Sequence, residues 1–235
     1  MKKLYNICDL AVECDFRCPT MTARAEKYLS AGSVLPAITV RCSPESAARL
    51  KAAQPGLTDD ECEIVSTAEE FYYSLLRFGG FMLHSSAVVM DGEAYLFSAP
   101  SGTGKSTHTA LWLETFGGRA RILNDDKPAI MVENGSVTAC GTPWSGKSDL
   151  NLNLRVPLRG ICMLERSKSN FIQPLPPEKS AFSLLDQTLR PSDGERMGIL
   201  LELLDEVTTR VPVWRMGCDI SAEAAEMAYR AMSGE

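Results

Sequence analysis

The stretch Ser98-Ala99-Pro100-Ser101-Gly102-Thr103-Gly104-Lys105-Ser106-Thr107 holds the most specific chemistry in the sequence. Ala99 to Ser106 fits the phosphate-binding pattern A-x-x-x-x-G-K-S, with Ala where the stricter form has Gly. Glycines at 102 and 104 let backbone N–H groups turn inward around phosphate oxygens. Lys105 brings a mobile positive charge to the terminal phosphates, and the Ser106 hydroxyl suits Mg²⁺. Pro100 to Thr107 is therefore expected to cradle the phosphates of a nucleotide. The loop should also open a helix, whose N-terminal dipole favours an anion.

Arg121-Ile122-Leu123-Asn124-Asp125-Asp126 reads as a short apolar strand ending in two carboxylates. Downstream of a phosphate loop, such a pair supplies what phosphoryl transfer still needs. One carboxylate holds Mg²⁺, directly or through water, and the other accepts the proton of an attacking hydroxyl. An Asn-Asp-Asp turn between strands would have the same composition, and sequence does not say which Asp takes which role. His84 lies in the apolar run 81–87, where a lone histidine is more often a hydrogen-bonded core residue than a catalyst. His108, four residues into the expected helix, reads as packing or surface.

The elements that must position these groups are legible in outline. Residues 94–97 form a strand before the loop, and Ala110, Leu113 and Phe116 recur at helical spacing after it, with Gly117-Gly118 as a stop. Asp91-Gly92 and Asn134-Gly135 are two-residue hairpin signals, so residues 81–90 pair antiparallel with 93–98, and 127–133 with 136–140. Two hairpins around one phosphate loop do not suit an all-parallel sheet, which needs helical crossovers. The expected sheet is mixed. Upstream, residues 4–14 read as a strand, 23–29 as a short helix and 35–42 as a strand. Ser43-Pro44-Glu45-Ser46 opens a helix, and a Ser66/Glu69 capping box opens another. Downstream, strands are expected at 158–164, 171–174 and 211–216. Helices are expected at 177–189, at 193–207 and over Ala222, Ala225, Tyr229 and Met232.

Taken together, His84-Ser85-Ser86-Ala87, a hairpin, Ser101-Gly102-Thr103-Gly104-Lys105-Ser106 and then Asn124-Asp125-Asp126 resemble the catalytic domain of HPr kinase/phosphorylase. That family has H-G-S-A, S-G-x-G-K-S and an Asp-Asp pair in this order, and shares a mixed-sheet nucleotide fold with phosphoenolpyruvate carboxykinase. The resemblance covers about residues 80–133. It implies an α/β fold with α+β character: a P-loop nucleotide-binding domain of this type over 79–235, with a small N-terminal α+β unit over 1–78. It further implies Lys105 on the β/γ-phosphates, Ser106, Asp125 and Asp126 around Mg²⁺, and His84 beside the transferred group. The implied reaction is ATP-dependent transfer to a Ser or Thr hydroxyl of a protein or peptide. The sequence departs from the family at Ser85, where Gly is usual, and lacks its E-I-R-G-L-G stretch. In place of that stretch stands Gly141-Thr142-Pro143-Trp144-Ser145-Gly146-Lys147, with an exposed-looking Trp; it either approaches substrate or merely closes the second hairpin. Arg159, Arg190 and Arg215 are candidate phosphate or base contacts, each more readily a surface or salt-bridge residue.

Composition bounds the alternatives. The 235 residues are 45% hydrophobic and 23% charged, enough for one sizeable core. A net charge of −6 without a Lys/Arg run argues against nucleic acid, and no apolar run approaches a membrane span. The expected setting is the cytosol, and a homo-oligomer stays open. The eight cysteines include no C-x-x-C pair, so free thiols are expected, although Cys14 and Cys18 could hold a metal or a bridge. Two other functions share the same residues: a small-molecule kinase with a pocket under the 141–147 loop, and a non-catalytic, nucleotide-gated binding module.

Overall fold

The structure is a computed structural model that describes residues 2–32 and 34–234. Met1, Ser33 and Glu235, which the ranges above include, lie outside the described residues. The chain opens with a hairpin of β1 (Lys3–Ile7) and β2 (Leu10–Cys14), joined by Cys8 and Asp9 at φ 56° and 62°. Sequence shows one strand here because Cys-Asp is not a hairpin signature, although Asp tolerates the left-handed region. After α1 (Pro19–Ala25), β3 (Ile38–Val40) adds parallel to β2 and completes a three-stranded sheet.

Two helices follow, α2 (Pro44–Ala53) and α3 (Asp59–Leu75). The Ser43 cap forms as its sequence demands. The next helix starts earlier than expected, at a Thr58/Glu61 capping box. Ser66 instead lies buried within α3 and donates to the Ser46 hydroxyl at 2.8 Å. Two S/T-x-x-E matches stand eight residues apart, and once the first nucleates the helix the second is simply interior.

The main sheet has nine strands: β4 (Gly80–Met82), β5 (Ser85–Met90), β6 (Glu93–Ser98), β7 (Ala120–Asn124), β8 (Ala129–Glu133), β9 (Ser136–Cys140), β10 (Arg155–Arg166), β11 (Phe171–Pro174) and β12 (Val213–Cys218). Their order is β4-β8-β9-β10-β6-β5-β7, with β12 on the far half of β10 and β11 outside β12. β10, β6 and β12 run parallel, whereas the β5–β6 and β8–β9 hairpins and the β5–β7 pair are antiparallel. The mixed sheet is therefore present. The run 81–90 is two strands, not one: β4 pairs with β8, the chain turns at Leu83-His84, and β5 pairs with β6 and β7. The segment has no glycine or proline to mark the change of partner.

Both faces of the sheet are covered, which is why β5 is buried along its whole length and β6 everywhere after Glu93, rather than alternating between buried and exposed. Val88, Met90, Tyr95 and Phe97 face α4 (Lys105–Phe116) and α7 (Ala222–Ser233), around the buried Trp112. Ala87, Val89, Ala94 and Leu96 face the opposite core, shared with α5 (Pro177–Leu185) and α6 (Gly194–Arg210). A third core joins the N-terminal sheet, α1 and α3 to Ala129, Met131, Cys140 and Trp144. α5 stops short of 189 because the next residues bond sideways: the Gln187 carbonyl accepts the His84 N–H at 2.7 Å.

Strand direction assembles the site. β5 lies antiparallel between β6 and β7, so the start of β5 shares an edge with the ends of β6 and β7. His84, the glycine-rich loop and the Asp125-Asp126 pair occupy those three positions.

Candidate functional site

The loop leaves β6 and turns with Gly102 at φ 78° and Gly104 at φ 124°; at Gly104 a side chain would be strained. α4 begins immediately, with no side-chain cap and no acid in its first turn. By contrast α2, α3, α6 and α7 are capped by Ser43, Thr58, Asp193 and Ser221. The donors at the start of α4 are thus left for an anion. Lys105 is buried and donates to the Ala99 carbonyl at 2.8 Å. Burial lowers its pKa, opposed by the nearby Asp126 carboxylate, while Lys127 adds to the lowering. A phosphate oxygen has only a neutral carbonyl to displace from this ammonium.

At the end of β7, Asn124 sets the carboxylate pair. Its side-chain oxygen accepts the backbone N–H groups of Asp126 and Lys127 at 2.9 and 2.7 Å, and its amide donates to the Thr142 carbonyl at 3.0 Å. Ser86 donates to the Asp125 carbonyl at 2.9 Å, tying the turn to β5. Asp125 is buried, and its Oδ1 accepts the Gly146 N–H at 2.5 Å. Asp126 is paired with Lys127 and lies 3.3 Å from His84 Nε2. Burial alone would raise the Asp126 pKa, but His84 and Lys127 together outweigh it and hold the carboxyl down to about 2.

His84 is held at both ends, with its backbone N–H on Gln187 O and its Nδ1 3.3 Å from Gln187 Oε1. It faces the Asp pair rather than the core. His108 is the opposite case: it is buried under Phe97 and accepts the Trp112 indole N–H at Nε2.

The segment after β9 closes the site from the other side. Trp144, exposed-looking in the sequence, is buried. It stacks on Phe71 at 4.7 Å and donates to Thr67 at 3.1 Å, because α3 supplies an aromatic wall that sequence does not reveal. With Trp144 fixed, Ser145 and Gly146 turn over the Asp pair. A Cβ at Gly146 would stand 3.3 Å from both Asp125 carboxylate oxygens. Arg24 of α1 reaches across from the N-terminal segment, donating to Ser145 O at 2.8 Å and Gly146 O at 2.7 Å and pairing with Asp149. Nothing in the sequence marks Arg24, which lies 122 residues from its partner.

His84, Ser101, Gly102, Lys105, Ser106, Asp125 and Asp126 line one cavity of about 470 Å³, with Gly104, Thr107 and the 146–148 turn. Pro100 and Thr103 do not line it; the Thr103 N–H closes the loop on Pro100 O, and the Thr103 side faces a neighbouring cavity. A hydroxyl and two carboxylates form an all-oxygen set, the chemistry of a hard divalent cation that keeps water and phosphate ligands. Arg159, Arg190 and Arg215 stand outside, paired with Glu93, Asp186 and Glu165. All eight cysteines are free thiols, and no cluster of His, Cys, Asp and Glu among the described residues would hold a metal by itself. No helix among them is long and apolar enough to cross a membrane.

A solved structure of the HPr(Ser) kinase/phosphatase from Coxiella burnetii is similar at a TM-score of 0.37 and 13% identity, over 65% of this chain and 95% of that one. No curated protein matches. A family model matches residues 56–228, from the start of α3 through most of α7, and the chain therefore belongs to the SynChlorMet cassette protein ScmC family.

Proposed function

We propose that this protein is an ATP- and Mg²⁺-dependent phosphotransferase that moves the γ-phosphoryl group to a Ser or Thr hydroxyl of a protein or peptide. The observation that carries the reading is the meeting of Lys105, Ser106, Asp125, Asp126 and His84 on one cavity at one sheet edge. The order of the motifs that resemble HPr kinase/phosphorylase supports it. We read residues 79–235 as the nucleotide-binding domain and 1–78 as a unit that completes its site through Arg24.

Loop N–H groups and Lys105 would take the charge that spreads over the transferred group, where a preformed donor costs no reorganisation. Mg²⁺, when bound, would supply positive charge that offsets the charge of the phosphates. Ser106 and Asp126 are the residues we assign to hold it, since Asp126 stays ionised at any working pH. We assign Asp125 to the acceptor hydroxyl: it is buried beside Gly146 and lines the same cavity as Lys105 and Ser106. His84 keeps the Asp126 carboxylate oriented.

Transfer of labelled γ-phosphate to proteins and peptides of a cell lysate, mapped by phosphopeptide sequencing, tests the reading. Lys105→Ala and Asp125→Asn should each lower labelling at least about 100-fold. Maps from wild type and both variants that coincide would sink it.

A further inference from the structure

A second cavity, of about 480 Å³, opens beside the glycine-rich loop and shares Gly104 and Thr107 with the first. The two lie on opposite sides of β6. The Asp pair and His84 sit toward β5 and β7, whereas Leu164 and Cys218 place the second cavity at the ends of β10 and β12. This is the crevice outside the carboxyl ends of parallel strands, where α/β sheets bind ligands. Its size falls in the usual range for small-molecule sites, about 300–1,000 Å³.

Its chemistry differs from that of the first cavity. Leu111, Leu164 and Ile220 supply apolar walls, and Ile220 is 78% exposed with no partner core. His108 at its floor is neutral, burial pressing its pKa to about 4. Because Trp112 donates to Nε2, the ring hydrogen sits on Nδ1, 3.9 Å from the Cys218 sulfur. The carboxylates at the margin are engaged: Glu165 with Arg215, and Asp219 with the Ser221 hydroxyl. At the boundary, Arg166 donates to the Gly102 and Thr103 carbonyls, which fixes the loop and leaves a cation between the two cavities.

We propose that this second cavity takes the nucleoside of the triphosphate, its base lying between Leu111, Leu164 and Ile220 while the phosphates cross the loop toward Asp125 and Asp126. The inference rests on the phosphotransferase reading and sets the direction in which the nucleotide lies. It also assigns recognition of the base to apolar contact and shape, with Cys218 against the bound nucleoside.

The test compares Mg-ATP with inorganic tripolyphosphate, which has the phosphates and no nucleoside. Calorimetric titration of wild type and Leu111→Trp, the latter checked for an unchanged melting temperature, should show ATP affinity falling at least about ten-fold while tripolyphosphate affinity holds within about two-fold. In the unaltered protein, ATP should slow alkylation of Cys218, read by peptide mass spectrometry, and tripolyphosphate should not. If ATP affinity survives Leu111→Trp and Cys218 is alkylated equally fast with ATP present, the nucleoside lies elsewhere and the inference is overturned. If neither ligand binds wild type, the phosphate site itself is absent, and both readings fall together.

Discussion

Arg24 donates to the Gly146 carbonyl at 2.7 Å, and Gly146 donates its own N–H to Asp125 at 2.5 Å. Two hydrogen bonds thus connect a helix of the N-terminal segment to a buried carboxylate of the candidate site. The guanidinium uses its fork: one arm goes to Ser145 O, one to Gly146 O, and Nε pairs with Asp149. A planar five-donor group can hold a turn in this way, and an ammonium cannot.

Arg24→Ala should therefore weaken catalysis without touching nucleotide binding. Loss of the fork leaves the Ser145 carbonyl without a donor and the Gly146 carbonyl with the Asp149 N–H alone, costing about 2 kcal/mol of stability. It also frees the turn that positions Asp125. We expect kcat for transfer to fall at least about ten-fold with KM for ATP within about two-fold. Arg24→Lys should behave like Ala. A lysine variant with full kcat would show that charge alone, and not the fork, serves the site.

Gly146 is under a second constraint, that of space. An alanine Cβ there would meet the Asp126 Cβ at 3.1 Å and both Asp125 carboxylate oxygens at 3.3 Å. Gly146→Ala should push the carboxylate aside by a few tenths of an ångström, costing about 1 kcal/mol in stability and far more in turnover, about 100-fold. Thermal melts and initial rates on the same preparation check this. Equal fractional losses in both would point to general unfolding instead.

How much of this was legible before folding follows from the range of each interaction. The glycine-rich loop, its helix and both Asn/Asp-Gly hairpins are local, so composition specified them; Asp91-Gly92 and Asn134-Gly135 take the positive φ their signatures demand. The mixed sheet followed from those hairpins. What failed depended on distant partners. Leu83-His84 breaks an apolar run because Gln187 and Pro128 bond to it, and Trp144 is buried because α3 passes over it. Arg24 carries no local signal of any kind. The residues that meet on the cavity were readable, and the groups that position them were not.

His108 gives a pH test of the interior. Its folded pKa lies at about 4 against an ordinary 6.5, so the unfolded chain binds the proton first. Its contribution is complete above about pH 6.5 and is lost as pH falls toward 4, amounting to about 3 kcal/mol. Denaturant unfolding of wild type should weaken through that window. His108→Gln, neutral at every pH, should start less stable and lose less. Parallel curves for the two proteins between pH 7 and 4 would place the ring in water.

Asp126 predicts a separate loss at lower pH. Its carboxyl stands at about 2 against an ordinary 3.8, burial being outweighed by His84 and Lys127. A depressed carboxylate stabilises the fold above its unfolded pKa and stops doing so as pH falls through the folded one. The window therefore runs from about 4 down to 2, and the amount is about 2 kcal/mol. Asp126→Asn removes the charge and leaves the shape, so wild type and variant should differ above pH 4 and converge toward pH 2. The same substitution tests the cation assignment at working pH. If Asp126 holds the metal, the Mg²⁺ concentration for half-maximal transfer should rise at least about ten-fold in Asp126→Asn, while Asp125→Asn lowers kcat at an unchanged Mg²⁺ requirement. A reversed pattern would exchange the two roles.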